Sequence, residues 1–149
     1  MTAKVISGEV LGVKGPIEPK VPTYLIDFYL KTGREYDHPI PAGWNSMIVV
    51  HRGTIEVQDS KKVIGPGVCA VFKHSEGVET IRLKSLSDDA GFLLLAGQPL
   101  NEPVCWRGPF VLNTPEELKQ AFADYSAGTN GFEGSRTWKP KNQELRYKK

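Results

Sequence analysis

From residue 23 onward, short apolar stretches alternate with Gly, Pro, Asn and Asp at intervals of about eight to twelve residues, a spacing that predicts many short strands joined by turns. The clearest is Tyr24-Leu25-Ile26-Asp27-Phe28-Tyr29-Leu30. Its period of two puts Tyr24, Ile26, Phe28 and Leu30 on one face, the signature of a strand with a buried side. Further strands are expected over residues 34–40, 44–50, 54–58, 62–64, 68–72, 78–83 and 91–96. The piece at 34–40 carries Pro39 next to His38, with Pro41 just beyond. Proline cannot donate to a ladder, so this piece is expected at a sheet edge or a bulge. Residues 4–20 read as loop, because Gly8, Gly12, Gly15, Pro16 and Pro19 interrupt any long element. Short strands are expected within it at 4–6 and 9–13.

The period changes once, near residue 114. Thr114 is an N-cap, Pro115 suits the first helical position, and Glu117 completes a capping box. Leu118, Ala121, Phe122 and Tyr125 recur at helical spacing and predict a buried stripe. Gly128 or Asn130-Gly131 ends the helix, which therefore covers about 115–127. A helix that follows the strands, and does not alternate with them, predicts an antiparallel, all-β sandwich or barrel with a short C-terminal helix. Aromatic residues Phe110, Phe122, Tyr125, Phe132 and Trp138, with the loop prolines 99, 103 and 109, are expected to bind this terminal segment onto the barrel.

Composition adds size and setting. The chain has 149 residues, 40% apolar and 24% charged, with a formal net charge of +2, which suits one globular domain. The expected organisation is an N-terminal arm over 1–20, a single domain over 21–141 and a basic tail over 142–149. Over residues 139–149, Lys139, Lys141, Arg146, Lys148 and Lys149 are opposed by Glu144 alone. This short basic end is expected to be solvated, and direct nucleic-acid binding is not expected. The opening MTAKVISGEVLG has no long apolar run, and no stretch reaches the roughly 20 apolar residues of a spanning helix. An intracellular protein is expected. Cys69 and Cys105 both stand among apolar neighbours, so buried, reduced thiols are expected, with a disulfide left open.

The search for chemistry returns little. Gly12-Val13-Lys14-Gly15 and Gly65-Pro66-Gly67 match neither a phosphate-binding loop nor a dinucleotide fingerprint, and they read as turns. No Gly-x-Ser-x-Gly elbow occurs, and nothing local marks a Ser or Cys as a nucleophile. Among the histidines, His38, His51 and His74, none has another histidine two positions away, the spacing that would put two rings on one strand face. Surface or half-buried histidines are expected.

Several landmarks together resemble the second half of the pirin family, two-domain members of the cupin superfamily. They are Val5-Ile6-Ser7-Gly8-Glu9, Pro39-Ile40-Pro41 with Gly43-Trp44, Ala96-Gly97 with Pro99-Leu100, Gly108-Pro109-Phe110-Val111, and Asn130-Gly131-Phe132-Glu133 with Thr137-Trp138. The resemblance implies a cupin-type (RmlC-like) jelly-roll fold. It also implies where a metal would be held: Gly33 to Gly53 fits the span of the first cupin motif, and Gly65-Pro66-Gly67 the turn of the second. The expected ligand positions then fall on Pro39, Pro41, Ser46 and Ala70, or on Cys69 for a register one residue earlier. None of these four is a metal-binding His or Glu, so no metal, no cofactor and no catalytic residue is assigned.

In the family the iron site belongs to the first domain, with a reported quercetin dioxygenase activity, and members are also described as nuclear transcription co-regulators. For this chain the resemblance implies a metal-free binding or interaction module, with an enzyme dependent on a metal-bearing partner domain as the alternative. Residues expected to line any cavity are Tyr24, Ile26, Phe28, Ser46, Ile48 and Val50. Expected partners are a second copy of the chain, a separate half of the first-domain type, or a transcription-related protein. The expected location is cytoplasmic or nuclear.

Overall fold

The computed structural model describes residues 1–73 and 79–142. The chain groups into two compact units, Met1–Leu100 and Asn101–Lys149. The first holds eleven strands: β1 (Thr2–Ser7), β2 (Glu9–Val10), β3 (Val13–Lys14), β4 (Thr23–Leu30), β5 (Glu35–Ile40), β6 (Asn45–Arg52), β7 (Ile55–Val57), β8 (Lys62–Ile64), β9 (Cys69–Phe72), β10 (Glu79–Ser85) and β11 (Ala90–Gly97). The second holds β12 (Cys105–Arg107), β13 (Phe110–Leu112) and the helix α1 (Pro115–Ala127).

Two larger antiparallel sheets, in the orders β1-β4-β11-β6-β9 and β5-β10-β7-β8, and a small β2-β3 hairpin form the first unit. Alternation decides which side chains lie between them. Ile26, Phe28 and Leu30 of β4, and Ile48 and Val50 of β6, are 0% exposed. Facing them from the smaller sheet are Ile40, Ile81, Leu83, Ile55 and Val57, all buried in the same cluster. Phe28 stacks on Phe92 with ring centroids 5.2 Å apart and meets Tyr36 at 4.8 Å. Among the described residues the two sheets share no ladder. The architecture is thus the antiparallel sandwich expected from the turn spacing, of the jelly-roll type that the resemblance implies. Gly53 shows how tightly one corner closes: its φ is +67°, and a Cβ there would stand 2.3 Å from Ser87 Oγ and 2.9 Å from Ala90 Cα.

The structure corrects several expectations. The short strand expected at 4–6 is longer, spanning Thr2–Ser7, because Ala3 and Val5 pair against Phe28 and Ile26 and extend the inner face. Cys69 is exposed and Cys105 half-buried, and both thiols are free. Cys69 lies on the outer side of β9, where it donates to Met47 Sδ at 3.6 Å. His38 is 4% exposed, inside the sandwich and not at its surface. Val78 and His74, and the tail from residue 143, lie outside the described residues.

In the second unit β12 and β13 form a hairpin across Gly108-Pro109, which the prolines concealed in the sequence. The helix starts as expected: Glu117 N donates to Thr114 Oγ1 at 3.2 Å and Thr114 N to Glu117 Oε2 at 3.0 Å. It ends on Gly128 in the left-handed region. Its apolar stripe is shallower than expected. Leu118, Ala121 and Phe122 are half-buried, Tyr125 is exposed, and no helix residue is fully buried. Phe110 anchors it, with ring centroids 5.0 Å from Phe122, 5.9 Å from Tyr125 and 5.8 Å from Phe132. Trp138, expected in this cluster, is mostly exposed. Among the described residues no helix is long and apolar enough to cross a membrane.

Candidate functional site

Strand parity redraws the expected ligand positions. On β5 the buried side chains are His38 and Ile40, with Tyr36 half-buried on the same face, while Pro39 is exposed. The pair that faces inward is therefore His38 and Ile40, one residue earlier than the motif spacing suggested for Pro39 and Pro41. Ser46 of β6 is buried, and Ala70 of β9 is half-buried opposite Ile48. The inner face thus offers one imidazole and one hydroxyl at the positions where the resemblance calls for several His and Glu ligands. Among the described residues no three His, Cys, Asp or Glu side chains are grouped to hold a metal ion. A metal centre of the cupin type does not fit this donor set.

His38 sits in an aromatic setting. Tyr36 Oη is hydrogen-bonded to His38 Nδ1 at 2.8 Å, and the ring meets Tyr24 at 5.6 Å and Phe28 at 6.0 Å. Burial lowers the His38 pKa to about 4 and raises that of Tyr36 to about 12, so both side chains are neutral near pH 7. His38 Nε2 is buried with no hydrogen-bond partner. In either tautomer one ring nitrogen goes unpaired, at a cost of about 1–3 kcal/mol. The i, i+2 spacing of Tyr36 and His38 was readable in the sequence; their shared burial was not.

The expected cavity-lining set divides in two. Ile26, Phe28, Ile48 and Val50 fill the core with no exposed surface. Tyr24 and Ser46 instead contribute to a depression of about 370 Å³ at one end of the larger sheet. A cleft of about 600 Å³ runs along β8 and β9, the edge strands of the two sheets. Val57, Ile64, Ala70, Phe72 and Ile81 supply its apolar lining, and Asp59, Lys62, Lys73, Glu79 and Thr80 its polar rim. Ala70 matters because its small side chain leaves space on the cleft wall. Sequence reading had no signal for this cleft, since it depends on two edges distant in the chain.

A third group lies on the outer face of the larger sheet. His51 Nε2 is 2.9 Å from Asp27 Oδ1, and Tyr29 Oη donates to Asp27 Oδ2 at 3.1 Å. That bond holds the Tyr29 phenol above its ordinary pKa. The His51 ring lies over Gly91, where a Cβ would come within 2.4 Å of His51 Cε1. No nucleophile joins the group among the described contacts, so it orients a ring and forms no catalytic triad.

Comparison with known proteins places this architecture. The model of the pirin C-terminal cupin domain matches residues 25–131. Pirin of Mus musculus is 41% identical over 143 residues, which is 95% of this chain and 49% of the relative. Pirin of Rattus norvegicus is 42% identical over 144 residues, 95% of this chain and 48% of the relative. The chain thus spans about half the length of the curated relatives it matches. Among solved structures, quercetin 2,3-dioxygenase from Acinetobacter baumannii superposes with a TM-score of 0.75 at 34% identity, covering 85% of this chain and 42% of that one. Matched along most of its sequence and in its sandwich, the chain belongs to the pirin family and corresponds to the C-terminal cupin domain.

Proposed function

We propose that this pirin-type cupin domain acts as a binding module, taking a small apolar ligand with a polar edge into the cleft along β8 and β9. The observation that carries the reading is the cleft itself: about 600 Å³, within the usual range for small-molecule sites, apolar inside and polar at the rim. The inner-face donors support a role without a resident metal, since the expected ligand positions hold Pro39, Pro41, Ser46 and Ala70, and the buried imidazole beside them, His38, has its Nδ1 engaged by Tyr36. The test is a fluorescence titration with 1-anilinonaphthalene-8-sulfonate, followed by displacement with candidate ligands. Saturable binding is expected, weakened at least about tenfold by Ala70→Trp, which fills the wall. Absence of saturable binding, or equal binding by a folded Ala70→Trp variant, overturns the reading.

The likeness to quercetin 2,3-dioxygenase favours a second reading: a domain that takes part in flavonol oxidation when paired with a metal-bearing half. It predicts no quercetin turnover by this chain with added Fe(II), and turnover that rises when a metal-bearing first-domain half is supplied. A rate unchanged by the added chain removes it.

A further inference from the structure

The outer face of the five-stranded sheet breaks the usual alternation. An antiparallel sheet with one buried face normally turns polar residues outward. Here the register aligns Leu25 of β4, Leu95 of β11, Met47 of β6 and Val71 of β9 in one row across four strands. The next row starts at Asp27 of β4 and continues through Leu93, Val49 and Cys69. Met47 and Val71 stand out, Val71 being 74% exposed, and beside them lies the depression of about 370 Å³ lined by Leu25, Leu95 and the side-chain-free Gly97. The apolar rows are bounded by Thr23 and Asn45 at one end and by Tyr29 and His51 at the other. An apolar centre with polar margins is the anatomy of a protein interface.

We infer that this face is where a second copy of the chain docks, sheet against sheet. Three strands of eight residues, with β1 of six and β9 of four, about 4.8 Å apart and rising about 3.4 Å per residue, make a face of about 550 Å², so two faces cover on the order of 1,100 Å². That clears the roughly 1,000 Å² a specific interface needs. A two-fold axis across the strands sets the Asp27–His51 end of one copy over the uncharged Thr23–Asn45 end of the other. It brings no like charges together and offers Met47 and Val71 of each copy to the depression of its partner.

Val71 and Cys69 border the cleft as well as this face, so the test separates docking from ligand binding through Met47, which lies outside the cleft. The 149-residue chain is followed by sedimentation equilibrium from about 1 μM to about 1 mM, a span that captures dissociation constants typical of weak to moderate dimers. A reversible dimer is expected. Met47→Glu and Val71→Lys each raise its dissociation constant at least about tenfold, as interface-centre charges do. Val63→Lys, an exposed apolar site on β8, leaves it unchanged. Far-UV circular dichroism checks that the variants fold, and Met47→Glu still binds the fluorescent probe as the unaltered chain does. The Cys69 thiol, read in a Cys105→Ser background, reacts more slowly as concentration rises. A monomer at every concentration overturns the inference. So does dimerisation unaffected by both face variants, lost equally with Val63→Lys, or replaced by binding to a separate cupin half alone.

Discussion

Tyr36 and His38 share the inner face of β5 and are joined by a 2.8 Å hydrogen bond inside the sandwich. Among the described residues His38 is the one buried imidazole, and its surroundings hold it neutral. Acid must therefore work against the fold at this point. The His38 pKa is about 4 in the folded chain and near 6.5 when unfolded, so the unfolded state binds the extra proton first. Stability contributed by neutral His38 is fully present above pH 6.5 and is lost as pH falls from there to about 4, by a total of about 3 kcal/mol. Urea melts at pH 7 and pH 4.5 are expected to differ less for His38→Leu than for the unaltered chain. Equal differences would show that another group controls acid sensitivity.

Gly91 and His51 form a seat and a ring. A Cβ at position 91 would come within 2.4 Å of His51 Cε1, so Gly91→Ala must push the ring off Asp27. The expected cost is about 1–3 kcal/mol by overpacking. In a His51→Ala background the same substitution is expected to be nearly neutral. The double-mutant cycle checks this; identical costs in both backgrounds would mean that the glycine serves the backbone and not the ring.

Phe28 joins three parts of the core through Phe92, Tyr36 and the His38 ring. Phe28→Ala is expected to destabilise the sandwich by about 3–5 kcal/mol. Thermal or urea denaturation measures it. A loss under about 1 kcal/mol would mean that the core collapses to fill the space.

Thr114 has a local job. Thr114→Ala removes the acceptor for the Glu117 amide and is expected to cost α1 about 1 kcal/mol. Amide hydrogen exchange reads it directly, as faster exchange in the first turns of α1 with little change in β4, β6 and β11. Uniform acceleration along the chain would show that the helix and the sandwich open as one.

The parts legible in the sequence were those with local causes. β4 and β6 announce themselves by alternation, because each has one face in the core. The helix announces itself by Thr114, Pro115 and Glu117, which satisfy its first amides before any tertiary contact forms. β12 and β13 were hidden because Gly108 and Pro109 read as an uninterrupted loop, while the pairing of Trp106 with Val111 holds three-residue strands together across them. The inward-facing side chains of β5 stand one residue before the places that motif spacing gives. Spacing from Gly33 counts along the chain, whereas the facing of a side chain is set by pairing with β10, where His38 stands opposite Ile81. The cleft along β8 and β9 and the apolar rows on the outer face were invisible for a related reason: each is assembled from strands far apart in sequence.

Pro39 has a consequence of its own. It lies on β5, an edge strand of the four-stranded sheet, with its ring exposed and its Cα paired to Thr80. Where another residue would present a free amide along that border, proline presents none. An incoming extended peptide therefore finds a gap in the row of donors it needs, and the border resists growth into a continuous cross-chain sheet. The residue that occupies the expected place of a metal ligand acts as a guard against fibrous self-assembly.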